Sequence, residues 1–149
     1  MKIALGFDHG GIVAKKAIIA LLESKNVEYT DFGTYEEKSC DYPDYAVKVA
    51  KSVANGEHDL GILVCGTGIG MSIAANKVKG IRASCANDLY SAEMTRRHNN
   101  SNVLALGARV ISVEKIVEIV DKYISTDFDG SYHQRRLDKI KELEETFNQ

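Results

Sequence analysis

Short apolar runs alternate with amphipathic stretches along the whole chain. Ile3 to Phe7 is apolar and closes on Asp8-His9-Gly10-Gly11, after which Val13, Ala17, Ala20 and Leu21 fall on one helical face. Val27 to Phe32 reads as a second strand, and Pro43 suits the first turn of a helix carrying Ala46, Val47, Ala50 and Val53, which Gly56 ends. Gly61 to Cys65 is the most continuously apolar run, a buried strand that feeds Gly66-Thr67-Gly68-Ile69-Gly70 and then a helical stretch from Met71 to Val78. Ile81 to Cys85 gives a fourth strand, Asp88 to His98 a fourth helix, and Val103 to Leu106 a fifth strand before Gly107. Ser112 caps a helix with the stripe Val113, Ile116, Val117, Val120 and Ile124, while Leu137, Ile140 and Leu143 mark a final helix ending near Phe147.

Strands alternating with helices predict an α/β fold: a three-layer α/β/α sandwich around a five-stranded parallel sheet with right-handed crossovers, plus a C-terminal helix. In such sheets ligands sit at the carboxyl ends of the strands. Those ends are Asp8-His9, Cys65 to Gly68, Ala86-Asn87 and Gly107 to Arg109, so polar residues and glycines gather on one rim. The 149 residues suit one domain over 1–149, with 44% hydrophobic and 27% charged residues, as in globular proteins. A net charge of −2 lacks the basic excess of a general nucleic-acid or anionic-membrane binder. No apolar run approaches transmembrane length, and the first residues are too short a run for a signal-peptide core. Three irregularly spaced cysteines, Cys40, Cys65 and Cys85, give neither a disulfide scaffold nor a CxxC pair, and reduced thiols point to a cytoplasmic protein.

The rim is where chemistry is expected. Three glycines within five residues at a strand-to-helix junction turn backbone N–H groups toward one point, an anion cradle. The same glycines also suit a turn made only for tight packing. Met71 follows Gly70, so the Gly-Lys-Ser/Thr of a nucleotide-phosphate loop is missing. GTGIGM has its third glycine one place too early for a dinucleotide fingerprint, although Asp88 lies at a suitable distance for a ribose. Cys65 ends an apolar strand, where cysteine is commonly packing, yet the adjacent N–H dipoles favour its thiolate and so a nucleophile or general base. Cys40 and Cys85 are read as packing. His9 sits beside Asp8 on the rim. Arg96 to Asn100 either offsets a helix dipole or supplies a titratable imidazole, His98, and a neutral donor, Asn99. Arg136 near the start of the last helix, with Arg109 after the fifth strand, offers paired donors to a phosphate or is simply solvated.

Together, DHGG at Asp8 to Gly11, DYPDYA at Asp41 to Ala46, CGTGIGMSIAANK at Cys65 to Lys77, RHNN at Arg97 to Asn100, NVLALGAR at Asn102 to Arg109 and HQRR at His133 to Arg136 closely resemble ribose-5-phosphate isomerase type B. The resemblance spans nearly the whole chain, and related isomerases of galactose and allose 6-phosphate share much of it. It implies a Rossmann-like sheet of order 2-1-3-5-4 and interconversion of ribose 5-phosphate and ribulose 5-phosphate without metal or organic cofactor. It also assigns roles by position. His98, helped by Asp8, opens the furanose; Cys65 moves a proton from C2 to C1; Thr67 relays protons between O1 and O2. Backbone N–H groups of Gly66, Gly68, Ile69 and Gly70, with Asn99, stabilise the enediolate, while His9, Arg109 and Arg136 hold the phosphate and Tyr42 lines the sugar site.

The family's alternative base is a glutamate just after the glycine loop; here Met71 stands there, leaving Cys65. Tyr132 occupies a position where many relatives have arginine, which removes a cation from the phosphate clamp and leaves a hydroxyl and a ring. The resemblance further implies a homodimer in which His98 and Asn99 complete the neighbour's site, sometimes paired into tetramers, with a small-molecule sugar phosphate as ligand and neither nucleic acid nor membrane as partner. Two other readings remain: an isomerase of a six-carbon sugar phosphate or of a free rare sugar such as allose or psicose, and a non-catalytic module that binds a sugar phosphate for regulation.

Overall fold

A computed structural model describes residues 1–147. Five parallel strands, β1 (Lys2–Phe7), β2 (Glu28–Asp31), β3 (Leu60–Cys65), β4 (Ala83–Cys85) and β5 (Val103–Gly107), form one sheet. Their order is β2-β1-β3-β5-β4, as the resemblance implies. Six helices alternate with them: α1 (Lys15–Ser24), α2 (Tyr42–Ala54), α3 (Ile69–Ala75), α4 (Leu89–Asn99), α5 (Val113–Ile124) and α6 (Tyr132–Phe147). The chain reverses direction across the sheet between β1 and β3, the switch point at which open α/β sheets form a crevice.

Strand alternation sends side chains to two cores. Ile3, Leu5 and Phe7 of β1, Ile62 and Val64 of β3, and Leu104 and Leu106 of β5 pack with Ile18 and Leu22 of α1 and Ile116, Ile119, Val120 and Tyr123 of α5. The opposite face is built from smaller residues, Ala4, Leu63, Cys65 and Ala105, against Ala46, Val49 and Ala50 of α2 and Met71 of α3. Gly6 belongs to this thinner face: a Cβ there would sit 2.8 Å from Leu63 and 2.9 Å from Val49. Cys65 therefore points toward α2 and α3.

The expected elements form, with shifted edges. The face of α1 is Ala14, Ile18 and Leu22, one position away from the Val13-based stripe, and Val13 is exposed. A 3-10 turn over Ile12–Ala14 precedes α1 and resets the phase. The segment is apolar nearly all round, so periodicity alone leaves its face ambiguous. Likewise α2 buries Val49 rather than Val47. The strand β4 begins at Ala83 instead of Ile81, because Ile81 N–H turns back to the Val78 carbonyl at 3.2 Å and Arg82 N–H goes to the Asn102 side chain at 2.8 Å. Ser112 caps α5 as expected, accepting from Lys115 N–H, and Asp88 does the same for α4, accepting from Ser91 N–H. In α6 only His133 and Leu137 are buried, and the apolar Ile140 and Leu143 face outward.

The turn after β1 is locked against β3. A Cβ on Gly11 would lie 1.9 Å from the Val64 carbonyl oxygen and 2.9 Å from the Cys65 nitrogen, so only glycine permits this approach. Gly11→Ala is expected to lower folding stability by about 3 kcal/mol, read as a shifted urea midpoint at unchanged slope. A loss below about 1 kcal/mol would mean that the turn backs away from β3 freely.

Candidate active site

At the switch point the turn after β1 and the loop after β3 lie side by side. Asp8 is buried, and its Oδ1 accepts from Gly10 N–H at 2.8 Å and Gly11 N–H at 3.0 Å, so one carboxylate oxygen is spent on holding the turn. His9 receives the backbone N–H of Cys40 at Nδ1, 3.2 Å away. A backbone N–H only donates, so Nδ1 carries the lone pair and the neutral ring has its proton on Nε2. His9 thus offers one outward donor. The segment that delivers Cys40 is itself fastened by Lys15, whose ammonium pairs with Asp31 at 2.7 Å, donates to the Thr34 carbonyl and lies over the rings of Phe7 and Tyr35.

The loop from Gly66 to Gly70 is folded around sulfur. Gly68, at φ +85°, turns the chain so that its N–H donates to Cys65 Sγ at 3.1 Å. Ile69 N–H is taken by Thr67 Oγ1 at 3.2 Å, so two of the four loop residues expected to face an oxyanion, Gly68 and Ile69, have their N–H groups engaged within the loop. Gly70, next in the first turn of α3, has no intrahelical acceptor for its N–H. The Tyr42 ring packs directly on Gly70, where a Cβ would meet it at 2.7 Å. Arg109 hydrogen-bonds through its backbone N–H to the Gly66 carbonyl, and its guanidinium lies beside Gly66 and Gly10. Asp8, His9, Tyr42, Cys65 to Gly70 and Arg109 are therefore one site.

The remaining candidates, His98, Asn99, Tyr132 and Arg136, are elsewhere. From Asp88 at the carboxyl rim, α4 runs back along the sheet, and Asn99 ends it beside Arg82, whose Nε donates to the Asn99 carbonyl at 3.2 Å. Arg82 stands immediately before β4 and Asn102 immediately before β5, so this is the amino-terminal edge of the sheet. At about 3.3 Å per residue, six-residue β3 alone separates the two edges by about 17 Å. No small ligand touches both Cys65 and His98 of one chain. Around His98 the structure builds a second cluster: its ring stacks on His133 with centroids 4.3 Å apart and planes 13° apart, Tyr132 tilts against His133 at 4.3 Å, and the Arg136 guanidinium lies 5.0 Å over Tyr132.

Two residues that matter here carried little sequence signal. Asn87 fixes the glycine loop, accepting from Gly107 N–H at 2.8 Å and donating to the Thr67 carbonyl at 3.1 Å. Its only mark in the sequence is its place just past the fourth strand. His133, among the arginines that open the last helix, is buried, and that burial together with the nearby His98 and Arg136 holds its imidazole below the ordinary range. Cys85, read as packing, is exposed, and Cys40 is half-buried beside His9. Among the described residues, His98, Asp129 and His133 have potential metal-ligand atoms within 4.8 Å of one another. An imidazole binds a metal in its own ring plane, and two nearly parallel stacked planes share no such point, so the observed arrangement is a stack and not a chelate.

The ribose/galactose isomerase family model matches residues 3–140. Ribose-5-phosphate isomerase B of Escherichia coli (strain K12) is 48% identical over 147 residues, 99% of each chain. Among solved structures, ribose-5-phosphate isomerase B of Clostridium thermocellum is similar with a TM-score of 0.96 and 48% identity over 99% of both chains. Ribose-5-phosphate isomerase B from Mycoplasma genitalium, solved with bound ribulose-5-phosphate, gives a TM-score of 0.93 and 41% identity over 97% of this chain and 96% of that one. With its sheet order, its glycine loop at the switch point and this near full-length identity, the chain belongs to the ribose/galactose isomerase family of sugar phosphate isomerases.

Proposed function

We propose that this protein interconverts D-ribose 5-phosphate and D-ribulose 5-phosphate, an aldose–ketose isomerisation that runs through an enediolate. The observation that carries the reading is the thiol of Cys65, held at the switch point by the N–H of Gly68 in a glycine-rich loop. The Mycoplasma genitalium relative with bound ribulose-5-phosphate supports the choice of sugar. His98 protonates the ring oxygen while Asp8 assists loss of the proton from the anomeric hydroxyl, which frees the aldehyde. Cys65 then takes the C2 proton and returns it at C1, and Thr67 passes the hydroxyl proton between O1 and O2. Negative charge on the enediolate meets the Gly70 N–H and Asn99; one such donor is worth about 10²- to 10³-fold in rate. His9 through Nε2, Arg109 and Arg136 bind the phosphate, and Tyr42 walls the sugar.

Because Cys65 and His98 lie at opposite edges of the sheet, the active site is built from two chains. One subunit supplies Asp8, His9, Tyr42, the glycine loop and Arg109; its partner supplies His98, Asn99, Tyr132 and Arg136. The outward-facing Ile140 and Leu143 of α6 support such a homodimer, since they border a groove of about 760 Å³ that also takes in Ile81, Leu137 and Phe147. Apolar surface of this kind is what subunit association removes from water.

Cys65→Ala is expected to lower turnover of ribose 5-phosphate at least about 10²-fold while sugar-phosphate binding stays within a few-fold. Turnover retained in that variant removes Cys65 as the base; better turnover of a six-carbon phosphate or of free allose reassigns the substrate, and binding without turnover in the native protein favours a regulatory module. A second expectation concerns assembly. Cys65→Ala and His98→Asn proteins, each inactive alone, regain about a quarter of native activity when unfolded and refolded together, because half of the dimers then carry one intact site. Mixtures that stay inactive while forming mixed dimers would place both residues in a single chain's site.

A further inference from the structure

We infer that His133 is a positioning residue for His98: its buried ring is the platform that holds the neighbouring imidazole in the orientation needed to open the sugar ring. The inference rests on the isomerase reading above. His98 is the last-but-one residue of α4, where the helix ends on Asn100 at φ +44° and backbone support stops. A two-torsion side chain in that position needs something to fix it. The fixing surface comes from α6 and the loop before it. His133 is 8% exposed and lies flat on His98, with Tyr132 tilted against it and Arg136 over Tyr132, a column of His98, His133, Tyr132 and Arg136.

The column is anchored independently of its rings. Asp129 donates its backbone N–H to the Arg97 carbonyl at 3.0 Å and receives Arg97 Nε on both carboxylate oxygens at 3.2 Å, which ties the segment before α6 to the last turn of α4. His133 N–H in turn bonds the Gly130 carbonyl at 3.2 Å. Burial and the neighbouring His98 and Arg136 keep His133 below the ordinary imidazole range, which favours its neutral ring as the face laid against His98.

The step that depends on this arrangement is ring opening alone. A proton passes from His98 to the ring oxygen, the bond from C1 to that oxygen breaks, and the anomeric hydroxyl gives up its proton to a base, leaving an aldehyde with no net oxidation or reduction. Ribulose 5-phosphate needs no such step. The hydroxyl that would close a five-membered ring onto its C2 carries the phosphate, so this ketose is acyclic. An aldehyde formed from it closes in solution after release.

The test compares the two directions in His133→Asn, which removes the ring face, and His133→Phe, which restores it. With ribulose 5-phosphate as substrate, His133→Asn is expected to consume the ketose within about threefold of native protein. With ribose 5-phosphate, ketose formation by His133→Asn levels off as enzyme is added, at the rate of uncatalysed ring opening, whereas native protein and His133→Phe keep rising in proportion. Equal losses in both directions, or proportional forward rates in His133→Asn, overturn the positioning role. Failure of native protein to turn over either sugar overturns the isomerase reading itself, a different outcome.

Discussion

The length of a parallel strand governs how this molecule is organised. In a βαβ unit the strand delivers its carboxyl end to one edge of the sheet, and the following helix returns the chain to the other. Residues that close strands and residues that close helices are thereby separated by the full depth of the sheet. Cys65 ends a strand, and Asp8 and Arg109 follow strands; Asn99 closes a helix, with His98 in its last turn. Within one chain the two sets stay apart, and the isomerisation proposed above joins them only if a second chain supplies His98 and Asn99.

At the strand-closing edge, the candidate site depends on backbones approaching more closely than side chains allow. Gly11 lies against the Val64 carbonyl, and Gly107 lies so close to Thr67 that a Cβ would be 2.6 Å from its carbonyl carbon. These contacts press the β1 turn, the glycine loop and the end of β5 into one surface, and Asn87 bridges the last two with a pair of hydrogen bonds. There the Cys65 sulfur takes the N–H that the left-handed Gly68 aims at it.

Much of this was legible in the sequence, for reasons that differ residue by residue. The glycine loop, Asp88, Ser112 and Pro43 announce backbone geometry directly, because few other residues serve there. The α1 face was misjudged because residues 12–22 are apolar almost all round and a 3-10 turn shifts their phase. Leu137, Ile140 and Leu143 mark an apolar stripe on α6, but a pattern states that a face is apolar and not whether the chain buries it, and only Leu137 is buried. His133 escaped because its neighbours are arginines, so that a buried aromatic contact looks like one more exposed cation. The separation of His98 from Cys65 follows from topology, and the family resemblance implies it as well.

The three thiols differ in ways that bear on covalent labelling. Cys85 is exposed, with its sulfur 3.5 Å from the Thr67 carbonyl and in reach of Gly68, while burial of its surroundings pushes its thiol above the ordinary range. Cys40 is half-buried with its sulfur 3.8 Å from His9 Nδ1, and Cys65 is 5% exposed. A thiol reagent therefore meets two accessible sulfurs, each touching part of the site, ahead of the one beneath the glycine loop. Adducts on Cys85 wedge the loop and adducts on Cys40 displace the contact that orients His9, so inactivation by alkylation identifies the crowding around the pocket and leaves the identity of the base to other evidence.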